Sequence, residues 1–111
     1  MNRAKLTAIT DVDFDQLTFD STSPVLVFFG TKRCKICKEQ LPIVEQLAFE
    51  FAGKMHIYWV DVEKHKPLFQ RFRLRGIPNQ LLFNNGEVKE RISGLYPKDA
   101  LIQIIEKVIN K

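Results

Sequence analysis

Two of the 111 residues are cysteines, Cys34 and Cys37, and they form a C-x-x-C motif with Lys35 and Ile36 between them. Two thiols at this spacing can cycle between dithiol and disulfide, or supply half of a metal site. The chain holds no second cysteine pair and no paired histidines. A closed zinc site would therefore lack its remaining ligands, and no metal is expected. A small secreted domain stapled by disulfides uses more cysteines than this. The chemistry the pair suggests is thiol–disulfide exchange, with no bound cofactor and a reversible Cys34–Cys37 disulfide as the redox-active group.

The elements on either side decide whether that chemistry is workable. Val25–Phe29 is a continuous apolar run of β-formers, the pattern of a strand covered on both faces. Gly30–Arg33 reads as a loop, and a long helix is expected from near Cys34 to about Ala52, ended by Gly53. Leu41, Ile43, Val44, Leu47, Phe49 and Phe51 are dense enough to bury two of its faces. Pro42 removes one backbone bond and should kink it. Cys34 then stands at the helix N-terminus, where the first N–H groups lack partners and the helix dipole is positive. Lys32, Arg33, Lys35 and Lys38 add positive charge. The expectation is a Cys34 thiol more acidic than usual and nucleophilic near neutral pH. Cys37, three residues on, shares the face of the first turn and is less exposed, so it can resolve a mixed disulfide formed at Cys34.

The rest of the chain alternates strand and helix signals, as an α/β domain does. A first strand is expected over Leu6–Ile9, then a short helix through Phe14 and Leu17 capped by Asp11 or Asp13. Met55–Val62 reads as a strand, Lys66–Leu74 as a short helix, Gly76-Ile77-Pro78 as a break and Gln80–Phe83 as a strand. Asn84-Asn85-Gly86-Glu87 is a hairpin signal leading into an edge strand over Val88–Ile92. Pro97 opens a last helix whose buried stripe is Leu101, Ile102, Ile104, Ile105 and Val108. Right-handed crossovers and one antiparallel hairpin give a mixed sheet of four to five strands with helices on both faces. One domain over residues 1–111 accounts for it.

Taken together, the strand, active-site loop and helix of Val25–Leu47, Pro42 at its offset from Cys37, Gly76-Ile77-Pro78, the Asn-Gly hairpin and Gly94 resemble the thioredoxin family along almost the whole chain. The resemblance implies the thioredoxin fold and a cis Ile77–Pro78 bond beside the disulfide. It also implies an extended substrate pairing with the Ile77 backbone. Arg33, Lys35, Ile36, Ile77, Pro78 and Gly94 are the substrate-binding residues it suggests. Departures from the family pattern tune the site. Phe28 stands where members carry a buried Asp that aids proton transfer to the second cysteine, and Trp59 stands where a lysine often accompanies it. Two buried charges and their desolvation cost are gone, and so is a general base for Cys37. Arg33 and Gly30 replace tryptophans, Lys35-Ile36 replaces Gly-Pro, and Asn79 replaces the threonine after the proline. The substrate face is more basic and less aromatic as a result, which suits acidic or anionic disulfide partners.

The expected function is a protein-disulfide oxidoreductase, recharged by a thioredoxin-reductase-type electron donor; no nucleotide-binding glycine motif is present for the chain to do this alone. The alternative is a peptide-binding or redox-sensing module with little turnover. The net charge of +4 without a basic arm argues against nucleic acid. No apolar run is long enough to span a bilayer and no secretory h-region follows Met1–Lys5. A soluble, cytoplasmic monomer is expected.

Overall fold

The structure, a computed structural model, describes residues 6–110. β1 (Thr7–Ala8), α1 (Phe14–Leu17), β2 (Val25–Gly30), α2 (Lys35–Glu50), β3 (His56–Asp61), α3 (Lys66–Arg71), β4 (Asn79–Asn84), β5 (Glu87–Ser93) and α4 (Lys98–Ile109) follow in chain order. The five strands form one sheet in the order β1-β3-β2-β4-β5. β1 and β2 both run parallel to β3, whereas β4 is antiparallel to β2 and β5 to β4. This is the thioredoxin fold, with its mixed sheet at the upper end of the expected strand count.

β2 lies at the centre, and all six of its residues are buried. Its side chains alternate between two cores. Leu26 and Phe28 face Val44 and Leu47 of α2 and Leu101 and Ile105 of α4. Val25, Val27 and Phe29 face Phe14 of α1, Leu68 of α3 and Phe72 just beyond it. Helices therefore cover both faces. The second core is aromatic: Phe14 packs against Phe29, Phe72 and Phe83 with ring centroids 5.4–6.2 Å apart.

Several boundaries differ from the sequence reading, each for a local reason. β1 shrinks to two exposed residues. Asp13 does occupy the α1 N-cap, but its carboxylate turns back to accept from the Thr10 N–H at 2.8 Å and hydroxyl at 3.1 Å, so it does not cap the helix. α3 stops at Arg71 because Arg73 adopts a left-handed φ of 54°. Pro97 is the N-cap of α4 rather than its first helical residue, and its carbonyl accepts from the Leu101 N–H at 3.2 Å. α2 runs through Pro42 as expected, whereas Phe49, expected among its buried residues, is 57% exposed. The hairpin forms as its residues require: Asn85 and Gly86 have φ of 55° and 77°, the geometry of a type I′ turn. Among the described residues no helix is long and apolar enough to cross a membrane.

Truncation at the aromatic core should be costly. Phe14→Ala is expected to lower the urea-unfolding free energy by about 3–5 kcal/mol. Phe49→Ala, on the exposed face of α2, should change it by less than about 1 kcal/mol. Equal losses for the two would show that the second core is not where the stability lies.

Candidate active site

The active-site loop begins where β2 ends. Gly30, expected to start that loop, is the last residue of β2 and is buried. The chain then passes through Thr31, Lys32 and Arg33 and enters α2 with Cys34 as its N-cap. The Thr31 hydroxyl accepts from the Cys34 N–H at 3.1 Å and fixes the turn. The Cys34 sulfur fills the usual N-cap role, accepting the Cys37 N–H at 3.2 Å. One of the unpartnered donors of the helix thus points at the sulfur, and negative charge that develops there in exchange is stabilised.

The two cysteines occupy different environments. Cys34 is half-buried and Cys37 is 2% exposed; both are free thiols. Burial pushes the Cys37 thiol up to about 12, and the adjoining Cys34 adds to the push; the backbone of Thr31 offsets only part of it. Cys37 is held protonated at neutral pH, so it is not the sulfur that makes the first attack on a substrate disulfide. Its burial has a specific cause. A Cβ built on Gly30 would lie 3.0 Å from Cys37 Sγ, 3.3 Å from Cys37 Cβ and 3.4 Å from the Phe28 ring. The absence of a side chain at Gly30 lets the second thiol sit directly on the strand.

Phe28 lies 2% exposed beneath the motif and is a core residue as expected. Trp59 stands beside it in the β2–β3 register, half-buried, packed against the same core and lining a cleft. On the other side of β2, Phe29 pairs with Asn79, which brings Pro78 level with Gly30. The Ile77–Pro78 bond is cis, Pro78 is buried and Ile77 is half-buried. The Gly94 N–H donates to the Pro78 carbonyl at 2.9 Å, and its φ of 88° is one that favours glycine. Lys35 and Ile36 are exposed at the motif, and Leu95 joins them as a further exposed apolar residue beyond Gly94. Arg33 is exposed before the motif, and its guanidinium pairs with Glu63.

Three supporting residues escaped the sequence reading: Gly30, Thr31 and Gln40. Gln40 is fully buried, and its amide donates to the Tyr96 carbonyl at 3.0 Å and accepts the Tyr96 N–H at 2.7 Å. This clamp ties α2 to the segment after Gly94. Its signal was present in the sequence as a lone neutral polar residue in the buried stripe Cys37, Gln40, Val44 and Leu47. Among the described residues, no three His, Cys, Asp or Glu side chains gather as a metal would require.

Comparison with known proteins agrees with this geometry. A family described as Thioredoxin matches residues 5–107. The chain is 36% identical over 101 residues to "Thioredoxin M-type, chloroplastic" of Pisum sativum, covering 91% of this chain and 59% of the pea protein. It is 36% identical over 101 residues to "Thioredoxin" of Haemophilus influenzae, covering 91% of this chain and 94% of that one. It is 31% identical over 99 residues to "Thioredoxin 1" of a Nostoc species, covering 89% and 92% respectively. The chain therefore spans between half and three fifths of the chloroplast relatives and nearly all of the bacterial ones.

Gly30→Ala tests the packing under Cys37. The added methyl should destabilise the fold by about 1–3 kcal/mol. It should also displace Cys37, so that iodoacetamide labels this thiol faster in the native variant than in the native wild type. Unchanged stability together with unchanged labelling would show that the contact is not tight.

Proposed function

Because the chain belongs to the thioredoxin family, we propose that it is a thiol–disulfide oxidoreductase that reduces or exchanges disulfides in protein substrates through a Cys34/Cys37 dithiol–disulfide cycle. The observation that carries this reading is the inequality of the two sulfurs: one half-exposed at a helix N-terminus, the other buried one turn later.

In the cycle, the Cys34 thiolate attacks one sulfur of the substrate disulfide. A Cys34–substrate bond forms and the other substrate sulfur leaves as a thiolate. Cys37 then loses its proton and attacks the Cys34 sulfur. The second substrate thiolate leaves, and the Cys34–Cys37 disulfide remains. Two electrons have passed to the substrate, whose two thiolates take up protons. A thioredoxin-reductase-type donor returns the pair to the dithiol.

Ile77, Pro78, Gly94, Ile36 and Leu95 form the surface against which an extended substrate segment would lie, its backbone pairing with that of Ile77. Lys32, Lys35, Lys38 and Arg75 are exposed in or near these segments and give the surface a basic character suited to acidic partners. Arg33 belongs to the same exposed segment, with its guanidinium paired to Glu63. The reading extends to a monomer working in a reducing compartment such as the cytoplasm, where a lone C-x-x-C pair serves exchange rather than stapling.

Insulin reduction driven by dithiothreitol tests the proposal. Wild-type protein should accelerate precipitation of the reduced chains, and Cys34→Ser should return the rate to that of dithiothreitol alone. Pre-reduced Cys37→Ser, freed of dithiothreitol and mixed with insulin, should accumulate a Cys34–substrate mixed disulfide, visible by mass spectrometry. Equal rates for wild type and Cys34→Ser would overturn the assignment.

A further inference from the structure

On the side of β2 away from Pro78, the sheet and α2 part to leave a cleft of about 400 Å³. Its position follows from the strand order. Phe28 comes from β2, Trp59 from β3, and Leu6 from the residue just before β1, all on the side of the sheet opposite β4. The other wall is α2, where Lys38, Leu41 and Glu45 fall at intervals of three and four residues on one face. The cleft is lined by neither Ile77 nor Pro78, and Cys37 is the cysteine that faces it.

Two properties restrict what could occupy it. The walls are apolar: Phe28 is packed, but Leu6, Leu41 and Trp59 are only half-buried, and each keeps apolar surface toward the cleft. The volume suits the body of a small molecule. The mouth is cationic, with the exposed Lys32 and Lys38 both lining it. Glu45, the third charged group there, is itself engaged in an interaction. Two ammonium groups over an aromatic slot match an anionic head on an apolar body.

We propose that this cleft binds a small amphipathic anion, with a flat aromatic or branched apolar body between Phe28, Leu41 and Trp59 and a carboxylate or sulfonate at Lys32 and Lys38. An occupant there covers the face of Cys37 that lines the cleft, so binding would also shield the second thiol.

Trp59 is the only tryptophan in the chain and lines the cleft, so its fluorescence reports occupancy without any redox turnover. Failure of this proposal is therefore distinguishable from failure of the oxidoreductase reading. The probes are 4-phenylbutyrate, its neutral amide and the cationic 4-phenylbutylamine, which share one apolar body. Phenylbutyrate should give a saturable Trp59 signal at about millimolar concentration. The amide should bind about fivefold more weakly and the amine more weakly still. The double variant Lys32→Gln/Lys38→Gln should bring phenylbutyrate to the affinity of the amide and leave the amide unchanged. Leu41→Gln should weaken both, with the folded state checked by circular dichroism. No saturation, equal affinity for the three probes, or an unchanged phenylbutyrate affinity in either variant would overturn the proposal.

Discussion

The contact between Cys37 and Gly30 is the constraint on which the site depends. With no side chain at Gly30, the Cys37 sulfur lies directly on the end of β2, 3.0 Å from where a Cβ would be. That closeness is part of the burial that holds the Cys37 proton firmly. In the same turn, held by the Thr31 hydroxyl, the Cys37 N–H donates to the Cys34 sulfur at 3.2 Å. One packing contact therefore separates the roles of two chemically identical side chains. Burial decides between them more strongly than the cations around the motif, because exposed charges are screened by water whereas desolvation is not.

Phe28 extends that dry environment. Beneath the motif, where the family pattern has a buried carboxylate, lies a phenyl ring in register with an indole. A buried charge is replaced by a packed phenyl ring and its companion lysine by a half-buried indole, and replacing buried charge by apolar packing is often neutral or favourable for stability. The chemical consequence is opposite in sign. A buried thiol must lose its proton before it can attack, and neither Phe28 nor Trp59 can accept one. The same substitution gives the cleft beside Cys37 its aromatic walls. Stability, proton transfer and cleft lining thus change together through one pair of side chains.

Much of this was legible in the residues. The apolar run of β2, the Asn-Gly turn and the apolar stripe of α4 lead directly to the elements observed, because local chemistry and burial agree in each. The C-x-x-C motif at a strand-to-helix junction located the site. What escaped was set by tertiary contact. Gly30 reads as an ordinary loop glycine until Cys37 is seen to rest on it. Gln40 falls in the buried stripe of α2, but its partner, the Tyr96 backbone, shows only in the fold. Arg33 reads as free positive charge, yet Glu63, thirty positions on, takes it up. Asp13 had two uses for one carboxylate, and the nearby Thr10 won over the helix cap. Each miss concerns a side chain whose partner lies elsewhere in space or competes locally, which periodicity does not reveal.

The central claim is that deprotonation of a buried, unassisted Cys37 limits closure of the disulfide. Burial, the larger cause of its raised pKa, persists when Cys34 is occupied. The direct test is to load Cys34 as a mixed disulfide with 2-nitro-5-thiobenzoate and follow release of the coloured thiol as a function of pH. The rate should climb about tenfold per pH unit from about pH 6 to about pH 10 without levelling, with a plateau brought down toward neutrality in Phe28→Asp. A wild-type rate already level below about pH 8, or a Phe28→Asp profile identical to it, would contradict the account.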